Sequence, residues 1–245
     1  MAWRAGDGVE LYANFGESFH SNDVRGASIR VDPLTGETVD RVQVLVKARG
    51  SELGARIERP NFTAFLVGYH LSLGSELVFV GDGGATDPHD ATRRIGAEAT
   101  LFWRPLSWLA LDAAGGITRA RFRNLPAGQR RIPNSVSRVM SGGAEATLGS
   151  GMSTALRIRH FAAAPLIEDG SARSRPTTLF NLGAYWRRGP AKIGLDVLNL
   201  LNAKEADITY FYASRLPGEP AEGVEDYHLH LVEPRQVRAS LRLSL

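Results

Sequence analysis

The connections between hydrophobic segments of this 245-residue chain alternate between short and long along its whole length. Tight turns stand about 40–45 residues apart, with longer polar stretches between them. Outer-membrane barrels show this pattern, because their periplasmic turns are short and their outer loops are long. Soluble β-sandwiches rarely show such a regular alternation of short and long connections. The turns are 58–61, 104–107, 149–151 and 187–190, and the long stretches are 20–40, 74–92, 123–136, 163–175 and 201–235. The spacing therefore predicts an all-β chain, an antiparallel transmembrane β-barrel.

The segments between these connections have the length of barrel strands, which need about 9–11 residues to cross a bilayer. If the short turns are periplasmic, the first strand runs outward and the tenth runs inward, so both chain ends are expected on the periplasmic side. A change in the alternation near Arg49 also predicts a β-bulge there. The predicted strands are 8–19, 41–58, 61–73, 92–104, 107–122, 137–149, 151–162, 175–188, 191–200 and 235–245.

Apolar and polar residues alternate within several of these segments, most clearly in 235–245. There, Val237 and Leu241 belong to an apolar set, while Arg238 and Arg242 belong to the alternate, polar set. Successive side chains of a strand point to opposite faces, so one face would meet lipid and the other a wet lumen. The low mean hydropathy of −0.16 is typical of such alternation.

Tryptophans lie beside the predicted short turns, at Trp103, Trp108 and Trp186. Indoles concentrate at membrane interfaces because they have an apolar ring and a polar N–H. This placement predicts an interfacial girdle, and the alternative is an ordinary core tryptophan next to a hairpin.

Composition excludes several functions. The chain has no cysteine, which excludes disulfides, thiolate metal sites and cysteine nucleophiles. Its net charge of +3 comes from dispersed residues with no basic stripe among aromatics, so we expect no nucleic-acid partner. No Gly-x-Ser-x-Gly motif is present, and we expect neither an enzyme nor a bound cofactor.

Four arginines at strand spacing are the candidate ligand-contacting residues: Arg157, Arg159, Arg238 and Arg242. Alternate positions share a face, so these side chains should line the lumen. They would either be solvated or form salt bridges with the wall, or they would contact an anionic ligand.

Two sets of residues resemble metal ligands only weakly. His228 and His230 would share one face of a strand and could hold a metal ion together. The alternative is that they are ordinary polar residues of a loop. Asp82, Asp87 and Asp90 lack the spacing of an EF-hand and are typical of a solvated turn. We therefore predict no metal site.

Six segments, in order, resemble the C-terminal part of the TonB-dependent receptors, a family of gated outer-membrane importers. The last of them is similar to the family's penultimate-strand signature. The segments are ELYANFGESF (10–19), SELGAR (51–56), SELVFVG (75–81), RRIGAE (93–98), RPLSWLALD (104–112) and DVLNLLN (196–202).

The resemblance implies a 22-stranded barrel closed by an N-terminal plug, of which ten strands here make roughly the last half. Residues 1–245 are then expected to be the C-terminal barrel portion, with the plug domain absent. The start of the chain has no apolar signal-peptide core, which also suggests a fragment. One departure is Leu245, where the family usually ends in an aromatic residue.

The resemblance further implies an outer-membrane location and uptake of a scarce solute such as a ferric siderophore, cobalamin or an oligosaccharide. The expected partners are outer-membrane lipid, that solute, and the TonB complex through the missing plug segment only. One alternative is a small self-closing barrel that acts as a passive pore or hydrolase. Another is a soluble β-rich binding protein whose apolar faces are buried against a second sheet.

Overall fold

The computed structural model describes residues 1–22, 27–31, 36, 38, 43–80, 85–89 and 91–244, without the side chains of 77–80 and 85–89. The interpretations of Asp82, Asp90 and Leu245, and of much of the stretch 20–40, lie outside the described residues, as does the side chain of Asp87.

Strands dominate the described part of the chain. They are β1 (Ala2–Gly6), β2 (Val9–Ser21), β3 (Leu45–Arg59), β4 (Phe62–Leu73), β5 (Glu76–Val80), β6 (Ala85–His89), β7 (Thr92–Leu106), β8 (Leu109–Phe122), β9 (Arg138–Thr147), β10 (Met152–Phe161), β11 (Thr177–Arg188), β12 (Ala191–Leu198), β13 (Ala206–Ser214), β14 (Val224–Leu231) and β15 (Gln236–Leu243). Within the described ranges, no helix is both long and apolar enough to cross a membrane.

Eleven of these strands form one antiparallel sheet in the order β1-β2-β3-β4-β7-β8-β9-β10-β11-β12-β15. Chain neighbours are therefore sheet neighbours throughout. The remaining strands form two separate hairpins, β5–β6 and β13–β14, inside two of the long connections. The sheet does not close on itself, because β1 and β15 are its two edges. This open sheet counts against a small self-closing barrel.

Ten of the eleven sheet strands correspond to the ten predicted segments, and β1 is the addition. A tight turn at Asp7 and Gly8 joins β1 to β2, and Gly8 has a φ of +66°, which glycine adopts without strain. Met1 exchanges backbone hydrogen bonds with Ala13, part-way along β2. The prediction that the first residue lies at the short-turn end is therefore wrong.

The predicted bulge near Arg49 is also wrong. The pairing of β3 with β2 and with β4 runs through Arg49 and Gly50 without any shift. The pattern changes there because Lys47 and Arg49 replace apolar residues on one face, where both pair with Glu17. Polarity changes along the strand while the hydrogen-bond register stays constant.

Strand register divides the sheet into two faces. One, the apolar face, exposes large hydrophobic residues across the whole sheet, with 67% of Leu53, 57% of Ile117 and 66% of Leu241 accessible. No second sheet covers these side chains in the described part of the chain, which counts against the alternative of a soluble β-rich binding protein. The other, the polar face, has the alternate residues.

The tryptophans lie as an interfacial girdle requires. Register places Trp103 and Trp186 on the apolar face near short turns, and Trp108 occupies a turn itself. All three are partly exposed, and the indole N–H of Trp186 donates to the carbonyl of Ser150 at 3.2 Å. Trp3, opposite Leu11, adds a fourth ring on the same face.

Well-buried side chains concentrate at the other end, where the long loops leave the sheet. Phe122 is 1% exposed and packs with Ile132 from the following loop, with Ala120 and Leu125 against them. Thr92, opposite Phe122, is fully buried. This small core fixes the loop after β8 on the sheet.

Candidate functional site: the polar face of the sheet

The polar face carries charged and hydrogen-bonding side chains along its full width. Neighbouring strands contribute groups at matching levels because the register runs unbroken through the middle of the strands from β2 to β12. The shift between Trp103 and Leu106 lies at the short-turn end of β7. Its members include Asn14, Glu52, Tyr69, Glu98, Asp112, Arg157, Asp196 and Arg238.

Arg157 on β10 reaches across a whole strand to form an ion pair with Asp112 on β8. The residue between them is Gly143 of β9, which lies opposite both. A Cβ at Gly143 would stand 2.5 Å from the Arg157 guanidinium and 2.8 Å from the Leu156 carbonyl oxygen. Glycine is therefore required for the arginine to lie flat on the wall.

The same arrangement recurs two strands away. The Tyr69 hydroxyl forms a 2.5 Å hydrogen bond with the Thr118 hydroxyl, and Gly96 lies between them in the register. A Cβ at Gly96 would come within 2.6 Å of the Tyr69 oxygen. These cross-strand bonds hold long polar side chains against the sheet and keep the space in front of it open.

The other candidate arginines have different surroundings. The Arg159 guanidinium lies 5.6 Å from the centre of the Phe161 ring. Arg238 is opposite Asp196, which accepts a 2.5 Å hydrogen bond from the Tyr185 hydroxyl. Arg242 is opposite Lys192, a pair of like charges, and the Lys192 ammonium lies 4.5 Å from the centre of the Tyr185 ring.

The structure places all four arginines on the polar face but does not gather them into one site. Arg157 and Arg159 are on β10, whereas Arg238 and Arg242 are on β15, with β11 and β12 between. Three strand spacings separate the two pairs by about 14 Å. Contact of these arginines with an anionic ligand stays a prediction.

Sequence reasoning missed a hollow in the polar face over β2, β3 and β4. Gly16 and Gly50 are directly opposite each other, and their lack of side chains opens a concavity of about 520 Å³. Polar lining groups are Asn14, Ser18, Glu52, Tyr69 and Glu98, with Ala48, Val67 and Leu71 as apolar ones. The signal in the sequence is a glycine on each of two strands, Gly16 between the alternate residues Asn14 and Ser18, and Gly50 between the alternate residues Ala48 and Glu52.

Two asparagines with positive φ hold the base of the longest loop. Asn199 (φ +48°) is 5% exposed, and its amide nitrogen donates to the carbonyls of Ala203 at 3.0 Å and Glu233 at 2.9 Å. Its side-chain oxygen accepts from the Ala203 N–H at 2.8 Å. Asn202 (φ +53°) accepts from the Arg235 N–H at 3.0 Å. Both belong to the segment 196–202 that carries the predicted resemblance.

The two histidines of the hairpin β13–β14 have separate partners. The His228 ring stacks on Tyr212 with centres 3.9 Å apart, and His230 Nδ1 lies 2.7 Å from Asp207 Oδ1. Among the described residues, no group of three or more potential ligands could hold a metal ion.

The ion pair between Asp207 and His230 predicts a pH dependence of this hairpin. The hydrogen bond and the charge of Asp207 raise the pKa of His230, and the same hydrogen bond lowers the pKa of Asp207. Because the histidine pKa is raised, its contribution is complete below about 6.5 and is lost as pH rises through the folded value. Because the aspartate pKa is lowered, its contribution is complete above about 3.8 and is lost as pH falls through the folded value. Hairpin protection should therefore be greatest between these limits.

Hydrogen exchange of the β13–β14 amides as a function of pH, with NMR titration of His230, measures this effect. In the matched variant Asp207→Asn, His230 should titrate near its ordinary value and the pH dependence should flatten. Titration of His230 at or below 6.5 with Asp207 present contradicts the prediction.

No family model and no curated protein matches this sequence. Solved structures do. The chain superposes on the ferric yersiniabactin uptake receptor FyuA from Yersinia pestis with a TM-score of 0.72 and 15% identity, over 99% of this chain and 36% of that one. With the ferric-catecholate import receptor Fiu from E. coli K12, the TM-score is 0.74 and the identity is 14%, over 99% of this chain and 34% of that one. With the siderophore receptor PiuA from Acinetobacter baumannii, the TM-score is 0.71 and the identity is 9%, over 99% of this chain and 34% of that one.

The fold is that of part of a TonB-dependent receptor barrel. The predicted resemblance and the predicted partial barrel are thereby confirmed at the level of the fold. The chain spans about a third of the length of the receptors that it matches. The similar proteins are named as uptake and import receptors.

Proposed function

We propose that this chain is the C-terminal portion of the barrel of an outer-membrane TonB-dependent receptor, which takes up a scarce solute such as a ferric siderophore. The apolar face then contacts outer-membrane lipid, and the polar face lines the lumen. The plug, and with it the contact to the TonB complex, lies outside residues 1–245. Transport needs no chemical step, and we expect no catalysis.

One observation carries this proposal: almost the whole chain superposes on about a third of several siderophore and metal uptake receptors. Two properties of the chain itself agree with a membrane wall. Most of the exposed large hydrophobic residues of the sheet lie on one face, and short and long connections alternate at the two ends of the strands. An aqueous lumen accounts for the polar network on the other face.

Within this function, we propose that the hollow at Gly16 and Gly50 lies on the path of the solute. The flat-lying pairs, Arg157 with Asp112 and Tyr69 with Thr118, leave the lumen in front of them open. The two glycines add further width, and Glu52 and Glu98 give the hollow an acidic lining.

The test is uptake by cells that express the full-length receptor containing these residues and lack their own siderophore receptors. Radiolabelled ferric chelates of the catecholate, hydroxamate and citrate classes are supplied in turn, with copper and cobalamin in parallel. We expect saturable accumulation of one solute that stops when TonB is deleted or the proton gradient is collapsed. Accumulation of none, or accumulation that is independent of TonB, overturns the proposal.

A matched pair of variants tests the hollow. Gly50→Leu adds a side chain on the polar face, and Ser51→Leu adds the same side chain on the apolar face one residue away. We expect Gly50→Leu to lower uptake several-fold and Ser51→Leu to leave uptake unchanged, with both proteins present at equal levels in the membrane. Equal uptake by the two variants contradicts a role of the hollow.

A further inference from the structure

The hairpin β13–β14 has one face on which tyrosine rings lie beside a carboxylate. Register places Tyr210 opposite His228, and Tyr212 opposite Asp226 at the next position of the same face. The rings of Tyr212 and His228 stack with their centres 3.9 Å apart. We call Tyr210, Tyr212, Asp226 and His228 the tyrosine face.

The tyrosine face is accessible in the described part of the chain. The hairpin is attached to the sheet at its base, where the Glu205 carboxylate accepts a hydrogen bond from the Thr178 N–H at 2.6 Å. Beyond the base, no hydrogen bond or ion pair joins residues 208–229 to any other part of the described chain. The side chain of Asp226 is exposed, and the two tyrosines are half-buried.

The loop 203–233, which carries this face, has a large excess of negative charge. It has seven carboxylates and only two lysine or arginine side chains, although the whole chain has a net charge of +3. Within the described residues, the one ion pair of this loop joins Asp207 to His230, whereas on the wall Asp112 is paired with Arg157. The carboxylates of the loop are Glu205, Asp207, Glu219, Glu222, Glu225, Asp226 and Glu233.

An organic ammonium group fits this combination of rings and carboxylates. Aromatic rings attract an ammonium ion over their faces, and a carboxylate accepts a charge-assisted hydrogen bond from it. A bare metal ion fits less well, because the described residues contain no group of three or more potential metal ligands. An anionic group would be repelled by the charge of the loop.

The hollow in the polar face has the same combination of groups. Among the described residues, Glu98 has no ion-pair partner, and Glu52 accepts a hydrogen bond from the neutral amide of Asn14 at 3.3 Å. Tyr69 belongs to the same lining. A solute with an ammonium group would therefore meet carboxylates and an aromatic ring in both places.

We propose that the tyrosine face binds the ammonium group of a solute that carries a protonated amine. This inference names the class of solute and rests on the proposed function. Calorimetric titration of the purified full-length receptor tests it with three ferric chelates that have the same iron centre. The probes are ferrioxamine B, whose linear trihydroxamate ends in an ammonium group, its neutral N-acetyl derivative and its anionic N-succinyl derivative.

Five variants locate the contact. Tyr210→Leu with Tyr212→Leu removes the rings of the tyrosine face, and Tyr210→Phe with Tyr212→Phe retains them. Asp226→Asn removes the charge at nearly constant shape. The matched controls are Tyr227→Leu and Glu225→Gln, which make the same kinds of change on the opposite face of the same strand.

We expect the ammonium form to bind about tenfold more tightly than the acetyl form, and the succinyl form to bind most weakly. This preference should disappear in the double leucine variant, fall severalfold in Asp226→Asn, and persist in the phenylalanine variant and both controls. Equal binding of the three chelates, binding of none, or a preference that survives both leucine changes and Asp226→Asn overturns the inference. TonB-dependent uptake of an anionic chelate without this preference leaves the proposed function standing, whereas the expected binding without uptake contradicts the proposed function alone.

Discussion

Residues 1–245 expressed alone should give no folded, heat-modifiable monomer in lipid. β1 and β15 are the two edges of the sheet and do not pair with each other. The backbone N–H and C=O groups on the outer side of each edge therefore have no strand partner, and each such group exposed to hydrocarbon costs several kcal/mol. Along the eight residues of β15, these costs exceed the whole stability of a typical domain, about 5–15 kcal/mol.

Cold SDS gels of chain refolded into detergent or lipid vesicles measure this outcome. The full-length receptor is the control and should migrate differently before and after heating. The isolated chain should run at one position only and sediment as aggregate. A heat-modifiable monomer, or stable conductance from this chain in a planar bilayer, contradicts the prediction and supports the alternative of a self-closing pore.

The long strands could be predicted from sequence because their length and spacing are fixed by a physical boundary, the bilayer. Turns such as Pro60–Asn61 and Gly189–Pro190 recur at the interval that two crossings require. β1 could not be found in the same way. Its five residues, AWRAG, are too few to show alternation, and the hydrogen bonds to β2 define it.

The hairpins β5–β6 and β13–β14 were missed for a different reason. Both lie within long polar connections, and polarity favours a loop over a strand buried on one face. The β13 sequence ADITYFYAS is rich in β-branched and aromatic residues, which favour strands. A scan for strand propensity that did not require an apolar face would have found this hairpin.

The polar network depends on register, which the sequence does not reveal for strands joined by long loops. Asp112 and Arg157 are 45 residues apart, and only the alignment of β8, β9 and β10 places Gly143 between them. The odd or even position of a residue along one strand can be read from the sequence, so the face of each candidate arginine can be predicted. The partners of these arginines and the distances between them cannot be predicted in this way.

The same limitation applies to charges on the apolar face. Alternation within β7 and β8 assigns Arg93, Arg119 and Arg121 to the lipid side, where arginines look like exceptions to the pattern. The structure shows these exceptions at one level, at the border of the hydrophobic band. Arginines distant in sequence thereby become one surface of concentrated charge.

Asn199→Ala should destabilise the folded receptor by about 3–5 kcal/mol. Three hydrogen bonds of a buried side chain are lost, and the carbonyls of Ala203 and Glu233 lose a donor. Alanine must also adopt the left-handed backbone of this position, with its φ of +48°. Because these bonds join the end of β12 to the residues before β15, the loop that carries β13 and β14 should be released first.

Urea unfolding of the full-length receptor in lipid, with limited proteolysis of the loop 203–233, measures the two effects. Asn199→Gly is the matched control, since glycine accepts the left-handed backbone but removes the same side chain. Asn202→Ala removes the hydrogen bond from the Arg235 N–H at an exposed position. The expected order of destabilisation is Asn199→Ala, then Asn199→Gly, then Asn202→Ala. One ordinary hydrogen bond contributes about 1 kcal/mol. If Asn199→Ala lowers the free energy of unfolding by no more than this, the asparagine does not hold the loop.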